Sequence, residues 1–167
     1  STDKTQEILD FLGVQSYFQP IQGISVTRQL GLEKAKGKYI LSADADSLYP
    51  AEWGINYVKE MKKPTVSVVY GRYSFIPSTS SRFALAIHEI LAETIFKLRR
   101  NKKDCINVMG FNSAFIKAEA ERIGGYSRVN MKWEDGMLAK KISEKFGEIS
   151  LVDTPDSRPW TSDRRLM

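Results

Sequence analysis

One stretch of the sequence decides the fold, and it is Tyr39-Ile40-Leu41-Ser42-Ala43-Asp44-Ala45-Asp46. A short apolar run that ends in acidic residues is typical of a buried parallel strand with polar groups at its carboxyl end. Through the first half of the chain, helical patterns alternate with such short runs. This alternation predicts an α/β fold with a mainly parallel central sheet and flanking helices. Ligands bind at the carboxyl ends of strands in such sheets, where we expect Asp44 and Asp46.

The two aspartates predict a metal site. Carboxylates one residue apart, as in Asp44 and Asp46, repel each other at the mouth of a buried strand and are costly there without a cation. Their hard oxygen atoms suit Mg²⁺ or Mn²⁺, and such an ion can also bind phosphate oxygens. The alternative is a turn at the strand end that carries two solvated acids.

A second acidic pair, Glu134 and Asp135, begins a predicted helix. Acidic residues in a first helical turn are favoured by the helix dipole, and this alone could explain the pair. The functional interpretation is a general base, because a carboxylate beside another carboxylate and an aromatic ring can have a raised pKa. The neighbouring Trp133 offers a flat face for a sugar ring or aglycone, so we predict that it binds an acceptor.

Three arginines are candidate ligands for a diphosphate. Arg28 belongs to the predicted helix before the Asp44 strand. Arg164 and Arg165 belong to a polar segment after Pro155 that we expect to be a loop. Guanidinium groups bind phosphate through two hydrogen bonds at once. Each of these arginines could equally be a solvated surface charge.

The composition is that of one ordinary globular domain. Hydrophobic residues make up 42% and charged residues 27% of the 167 positions, so we expect a single domain over residues 1–167. No apolar run reaches the roughly 18 residues that a membrane span needs. Cys105 is the only cysteine, so no internal disulfide can form, and we expect a cytoplasmic protein.

The charge of the chain favours an anionic partner. Its net charge is +5 and its pI about 9.3, which suit a nucleotide diphosphate or an acidic lipid surface. We expect no nucleic-acid partner. The densest basic run, Lys97–Lys103, either complements the dipole at a helix end or contacts the inner face of a membrane.

The order of short motifs resembles the family 2 inverting glycosyltransferases. The resemblance runs over nearly the whole chain, and its specificity comes from the order of motifs that are weak alone. In chain order they are Ser1–Thr5, Thr27–Gly31, Ala35–Ile40, Asp44–Asp46, Gly110–Ala114, Gly124–Tyr126, Glu134–Asp135 and Thr161–Arg165.

This resemblance implies a GT-A fold, a nucleotide-diphosphate sugar donor, a saccharide or lipid-linked acceptor, and inversion at the anomeric carbon. It implies that Asp44 contacts the ribose or the metal and that Asp46 holds Mg²⁺ or Mn²⁺. Asp135 would be the catalytic base, and Arg28 would lie near the nucleotide. The first nucleotide-binding strands of the family have no counterpart in this sequence, so we expect a GT-A domain without them.

Two alternatives remain. A phosphatase of the haloacid dehalogenase type also has an apolar strand followed by two aspartates, one of which is the nucleophile. That class needs a later metal-binding Gly-Asp motif, which this sequence lacks. A non-catalytic basic domain that binds anionic lipid or polymer would fit the charge. Binding of a nucleotide sugar would separate an enzyme from such a domain.

Overall fold

The computed structural model describes residues 3–76, 82–99, 105, 107–127 and 133–162. The helices are α1 (Thr5–Phe11), α2 (Ile24–Lys34), α3 (Trp53–Met61), α4 (Arg82–Arg99), α5 (Lys117–Arg122) and α6 (Glu134–Lys145). The strands are β1 (Tyr39–Ser42), β2 (Ser47–Leu48), β3 (Val66–Gly71), β4 (Ser74–Ile76), β5 (Ser113–Ile116), β6 (Glu148–Val152) and β7 (Trp160–Ser162), with a 3-10 turn at Pro155–Ser157. Within these ranges, no helix is long and apolar enough to cross a membrane.

The strands form two sheets. The larger has the order β1-β5-β3-β6, in which β5 runs antiparallel to both β1 and β3, and β6 runs parallel to β3. The smaller has the order β2-β7-β4, with β7 antiparallel to β2 and parallel to β4. Among the described strands, β1 therefore lies at one edge of the larger sheet.

The core lies on both faces of the larger sheet. All six residues of β3 are buried, which requires packing on both sides. On one face, Val68 and Tyr70 pack with residues of α2, α5 and α6, including Leu32, Ala120 and Ile142. On the other face, Val69 packs with α3, whose contributions are Trp53, Tyr57 and Met61. The sheet is thus a middle layer between two layers of helix.

The structure confirms the α/β fold class with its flanking helices, and three of the four strands of the larger sheet, β1, β3 and β6, run in the same direction. Only β5, among these four strands, runs antiparallel to its neighbours. The short apolar runs predicted strands buried on both faces, and β3 and β5 are buried as expected. Burial gives no information about direction, because an apolar strand between two helical layers has the same composition in either orientation. The antiparallel direction of β5 had no signal in the sequence.

The direction of β5 determines what lies beside Asp44. Ser42, at the end of β1, pairs with Ser113, at the beginning of β5. The segment 110–112 therefore lies at the same end of the strands as Asp44, which follows β1. If β5 ran parallel to β1, this segment would lie at the opposite end of the strands.

The expectation of a loop after Pro155 is wrong in part. Residues Trp160–Ser162 form β7, which pairs with β2 so that Thr161 lies opposite Ser47. The two hydroxyl groups of this pair are hydrogen-bonded at 2.9 Å. A strand of three residues has too little pattern to be recognised, and its partners are far away in sequence. Consequently, this late segment lies next to the residues that follow Asp46.

Candidate active site

A cavity of about 840 Å³ opens beside the end of β1. Its walls come from α2, the segment after β1, the segment before β5 and the beginning of α6. The charged lining residues are Arg28, Asp44, Asp46, Glu134, Asp135 and Lys140, and the apolar ones include Ile24, Val108, Met109, Phe111, Trp133 and Met137. A largely apolar wall with a few convergent polar groups is typical of a small-molecule site.

Arg28 connects three parts of the cavity wall. Its side chain extends from α2 and is 17% exposed. Its Nη2 lies 3.3 Å from Oδ1 of Asp44, and its Nε lies 3.4 Å from Oδ1 of Asp135. Its Nη1 donates to the carbonyl of Gly110 at 2.9 Å and to the hydroxyl of Ser42. One guanidinium thereby joins the end of β1, the segment before β5 and the first turn of α6.

Asp135 has the environment of a proton acceptor. Burial raises the pKa of its carboxyl to about 6, against the opposing effect of the Arg28 charge. The nearby carboxylate of Glu134 raises this pKa further, whereas a hydrogen bond from Tyr126 at 3.2 Å lowers it. Burial, and then the charge of Asp135, raise the pKa of Tyr126, so its hydroxyl remains a donor. A carboxyl group with a pKa near neutrality is suited to general base catalysis.

Tyr49 fixes the backbone at Asp44. Its hydroxyl oxygen accepts a hydrogen bond from the Asp44 N–H at 2.9 Å, and the same hydroxyl donates to the carbonyl of Phe111 at 2.7 Å. The Tyr49 ring packs against Trp53 of α3, with 4.5 Å between ring centroids. The acidic segment after β1 is therefore tied both to the segment before β5 and to α3.

Asn112, which follows the cavity residue Phe111 in the sequence, is the centre of a buried polar network. Its side chain is 1% exposed. Its Oδ1 accepts hydrogen bonds from Nε1 of Trp53 at 2.9 Å and from the hydroxyl of Tyr57 at 2.6 Å. Its Nδ2 donates to the carbonyl of Arg72 at 2.9 Å. This network holds the beginning of β5 against α3.

Replacing Asn112 by Ala should lower the free energy of unfolding by about 2–4 kcal/mol, because two buried donors would lose their acceptor. Urea denaturation of the variant would measure this change. Asn56→Ala is the matched control, since Asn56 makes a single half-buried bond to Ser157 at 2.9 Å. We expect the control to cost about 1 kcal/mol or less. Equal losses in both variants would contradict a special role for the network.

Two non-glycine residues in the left-handed backbone region line the cavity. They are Cys105, with φ of 56°, and Trp133, with φ of 66°. This conformation costs a non-glycine residue about 1–2 kcal/mol, and such strain is concentrated at functional sites. Trp133 immediately precedes α6, and its side chain is 72% exposed. It therefore presents an aromatic face at the rim of the cavity.

Gly110 allows the Arg28 and Asp135 side chains to meet. A Cβ atom at this position would overlap Oδ2 of Asp135 and the guanidinium of Arg28. Both side chains are held by other contacts, so neither could move without breaking an ion pair. The backbone of Gly110 thus forms the surface against which the charged cluster packs.

Gly110→Ala should lower the free energy of unfolding by about 1–3 kcal/mol, as expected for an added methyl group in a packed site. Thermal unfolding followed by circular dichroism would measure it. Gly31→Ala is the control, because a Cβ at that position in α2 has nothing within 4 Å. The control should stabilise the protein by up to about 1 kcal/mol through the helix propensity of Ala. Similar melting temperatures for the two variants would show that Gly110 is not sterically required.

A sequence comparison relates the chain to a known family. The family model for Glycosyl transferase family 2 matches residues 1–122. The chain belongs to glycosyl transferase family 2. The resemblance indicated by the order of the motifs is thereby confirmed. None of the curated proteins matches the chain.

The GT-A fold of this family 2 chain is shown by similar solved structures. One of them is the mannosyltransferase PcManGT from Pyrobaculum calidifontis in complex with GDP-Man and Mn²⁺. It is 20% identical and has a TM-score of 0.70, and the match covers 99% of this chain and 46% of PcManGT. S. aureus TarS 1–349 in complex with UDP-GlcNAc is 15% identical and has a TM-score of 0.73. The match covers 99% of this chain and 48% of TarS 1–349. A third structure is glucosyl-3-phosphoglycerate synthase from Mycobacterium tuberculosis in complex with Mn²⁺, UDP-Glc and phosphoglyceric acid. It is 14% identical and has a TM-score of 0.66, and the match covers 99% of this chain and 59% of the synthase. The chain spans about half the length of these structures.

Most of the residues that the sequence indicated lie around the cavity beside β1. Those that line it are Arg28, Asp44, Asp46, Trp133, Glu134 and Asp135. Arg164 and Arg165 lie outside the described residues. Tyr49 was missed, and Asn112 was noted only as a member of the Gly110–Ala114 motif, because their hydrogen-bond partners lie 62 and 55 positions away in the sequence. The structure thus assembles the predicted residues, whose individual roles remain predictions.

Asp44 and Asp46 of this family 2 chain suit a divalent ion that also binds phosphate oxygens. Among the described residues, no group of three or more His, Cys, Asp or Glu side chains forms a metal site. Asp44 and Asp46 nevertheless both line the cavity. Mg²⁺ and ions like it often bind one or two carboxylates and complete their shell with water and substrate phosphates. The donor set suits that kind of site and not a closed protein cage.

Proposed function

We propose that this chain is the catalytic part of an inverting glycosyltransferase. It would move a sugar from a nucleotide-diphosphate donor to an acceptor hydroxyl, with help from a divalent metal ion. The observation that carries the proposal is the ion-pair bridge that Arg28 makes between Asp44 and Asp135 inside one cavity. Membership of family 2 and the nucleotide-bound structures of similar fold support it. We also propose that residues 1–167 form one GT-A domain and that the nucleotide base is held by strands outside this chain.

Asp135 would remove the proton from the acceptor hydroxyl. As the acceptor hydroxyl loses this proton, the hydroxyl oxygen forms a bond to the anomeric carbon of the donor sugar. The bond from this carbon to the diphosphate breaks, and its electron pair leaves with the diphosphate. Attack from the side opposite the leaving group inverts the anomeric carbon, and no covalent enzyme intermediate is needed. Glu134, next to Asp135, would contact the acceptor and help to keep the pKa of Asp135 raised.

The leaving diphosphate would be stabilised by positive charge on the other side of the cavity. Asp44 and Asp46 would hold Mg²⁺ or Mn²⁺, which would supply charge to neutralise the diphosphate. Arg28 would orient Asp44 through their 3.3 Å ion pair. For Arg164 and Arg165 we propose a role as phosphate clamps. The pairing of β7 with β2 supports it, since those arginines closely follow β7 and β2 directly follows Asp46.

The acceptor would occupy the apolar part of the cavity. Trp133 has an exposed ring at the rim, and Met109, Phe111 and Met137 line the wall. Aromatic and apolar surfaces of this kind can pack against the flat face of a sugar ring or against an aglycone. We therefore propose a saccharide or a lipid-linked hydroxyl as the acceptor.

Donor turnover in the full-length protein that contains this chain tests the proposal. The protein would be incubated with UDP-glucose, UDP-N-acetylglucosamine or GDP-mannose, and release of the nucleoside diphosphate would be measured with added acceptors. We expect release with at least one donor, together with a product of inverted anomeric configuration by NMR. A product of retained configuration, or failure of every donor to bind in calorimetry, would refute the proposed reaction.

The raised pKa of Asp135 predicts a pH profile. As a base it must be deprotonated, so kcat/KM should rise with pH through about 6 and then level off. Stability should show the opposite trend, because in the window between 3.8 and about 6 the folded protein keeps a proton that the unfolded chain has lost. Initial rates and melting temperatures over this window would test both trends. A flat rate profile there would contradict the assignment of Asp135.

A further inference from the structure

We propose that α4 docks the protein on the surface of an anionic lipid bilayer. The contact would be made by the α4 stripe, which consists of Phe83, Ile87, Ile90, Leu91, Ile95 and Leu98. This inference concerns a surface outside the cavity, and it does not depend on the sugar-transfer reaction.

The α4 stripe is a continuous apolar surface that faces solvent. At 3.6 residues per turn, its six side chains fall within an arc of about 140° on one side of the helix. All six are exposed, from 44% at Ile87 to 76% at Phe83. Thr94 falls in the same arc, but its hydroxyl donates to the carbonyl of Ile90 at 2.8 Å and so needs no other partner. A contiguous exposed surface of this kind marks an interaction site.

The basic residues that follow the stripe in the sequence select the partner. The sequence continues from the end of α4 with Arg99, Arg100, Lys102 and Lys103, and the whole chain carries a net charge of +5. An amphipathic helix with an apolar side and a cluster of basic residues lies in the interface of an anionic bilayer, where each basic residue adds to the attraction. A second copy of the chain would bring another basic run of the same sign to the contact.

The position of α4 in the chain connects the docking surface with the cavity. The helix follows β4, which pairs with β7, and β7 pairs with the strand β2 directly after Asp46. After α4, the chain continues to Cys105, which lines the cavity. The six residue steps from Arg99 to Cys105 span at most about 22 Å, so docking through α4 would keep the cavity within that reach of the end of the helix. If the proposed transfer reaction also holds, this placement favours a lipid-linked acceptor.

Vesicle co-sedimentation of the full-length protein tests the proposal. Vesicles of phosphatidylcholine would be compared with vesicles that also contain about 30% phosphatidylglycerol, at low and high salt. We expect binding to the anionic vesicles to be at least about tenfold stronger and to weaken with salt. Leu91→Ser with Leu98→Ser should reduce it by about tenfold or more, because two inserted apolar side chains are lost.

A matched control uses apolar residues that are exposed elsewhere. Phe11→Ser with Phe18→Ser changes side chains that are 88% and 83% exposed near the other end of the chain, and should leave vesicle binding unchanged. A third variant, Arg100→Gln with Lys102→Gln and Lys103→Gln, should weaken binding to anionic vesicles only. If the α4 double variant does not fold, as judged by its melting curve, Leu98→Ser alone would take its place.

Three outcomes would overturn the proposal. The first is equal vesicle binding by the wild type and the α4 variant. The second is a wild-type dimer that the α4 variant converts to a monomer, which would assign the stripe to a second copy. The third is failure of a thiol reagent to label Leu98→Cys in the folded full-length protein, which would show that another segment covers the stripe. Nucleoside diphosphate release without vesicles should be unaffected by the α4 variant, so failure of docking is distinguishable from failure of the transfer reaction.

Discussion

Asp135→Asn should reduce kcat by about 10²–10⁴-fold, the usual contribution of a positioned base. The amide cannot accept the proton of the acceptor hydroxyl, yet it has nearly the shape of the carboxylate and can still accept the bond from Tyr126. Donor affinity should change little, because Arg28 keeps its ion pair with Asp44 on the donor side. Steady-state kinetics and donor calorimetry on the full-length variant would measure the two quantities separately.

Glu134→Gln is the matched control for the base. Glu134 lies next to Asp135 in the first turn of α6, and its Oε1 is 3.9 Å from Nε of Arg28. We expect this variant to affect kcat less and the KM of the acceptor more. If the two acids only favour the start of a helix, Asp135→Asn would cost at most about 1 kcal/mol of stability and leave turnover intact. A melting curve and a rate measured on the same sample would distinguish the two cases.

The parts of the site that could be predicted have local signals in the sequence. Asp44 and Asp46 end an apolar run, and such a run places its last residues at the edge of a sheet. Glu134 and Asp135 follow an aromatic residue at a predicted helix start, and the structure has α6 begin at Glu134. In each case a pattern of fewer than about ten residues is enough to position the side chain.

The parts that could not be predicted depend on distant pairing. The direction of β5 is set by its neighbours β1 and β3, and it brings Gly110 next to Arg28 across 82 positions of sequence. For Tyr49 and Asn112, no local pattern indicates their hydrogen-bond partners, which only the fold brings to them. The three residues of β7 are likewise too few to show a pattern, and their partner β2 is more than 100 positions earlier.

Among the described residues around the cavity, acidic side chains outnumber basic ones. This excess of negative charge supports the proposal that a metal ion binds there. Four of the described carboxylates line the cavity, from Asp44, Asp46, Glu134 and Asp135, whereas the described lining cations are Arg28 and Lys140. A diphosphate would add further negative charge to a lining in which the described acids outnumber the described bases. Nearby like charges at low dielectric repel strongly, so the donor would bind only with additional positive charge. A divalent ion on the aspartates, together with the proposed arginine clamp, would supply it.

Removing divalent metal from the full-length protein should therefore reduce turnover by about 10³-fold or more, and added Mn²⁺ or Mg²⁺ should restore it. Asp46→Ala should have a similar effect that added metal cannot reverse. A readout independent of activity is the melting temperature in the presence of UDP or GDP. Added Mn²⁺ should raise it in the wild type, since a ligand that binds only the folded state stabilises that state, and it should not do so in Asp46→Ala.

Asp156→Ala is the matched control for this variant, because Asp156 is an exposed acid in the 3-10 turn and does not line the cavity. It should keep both its activity and its response to Mn²⁺. Full turnover by the wild type in excess chelator would contradict metal assistance. A normal Mn²⁺ response in Asp46→Ala would instead assign the ion to other residues, because Asp46 would then contribute no oxygen to its binding. The two failures differ in the melting experiment, so the requirement for a metal and the identity of its ligand can be decided separately.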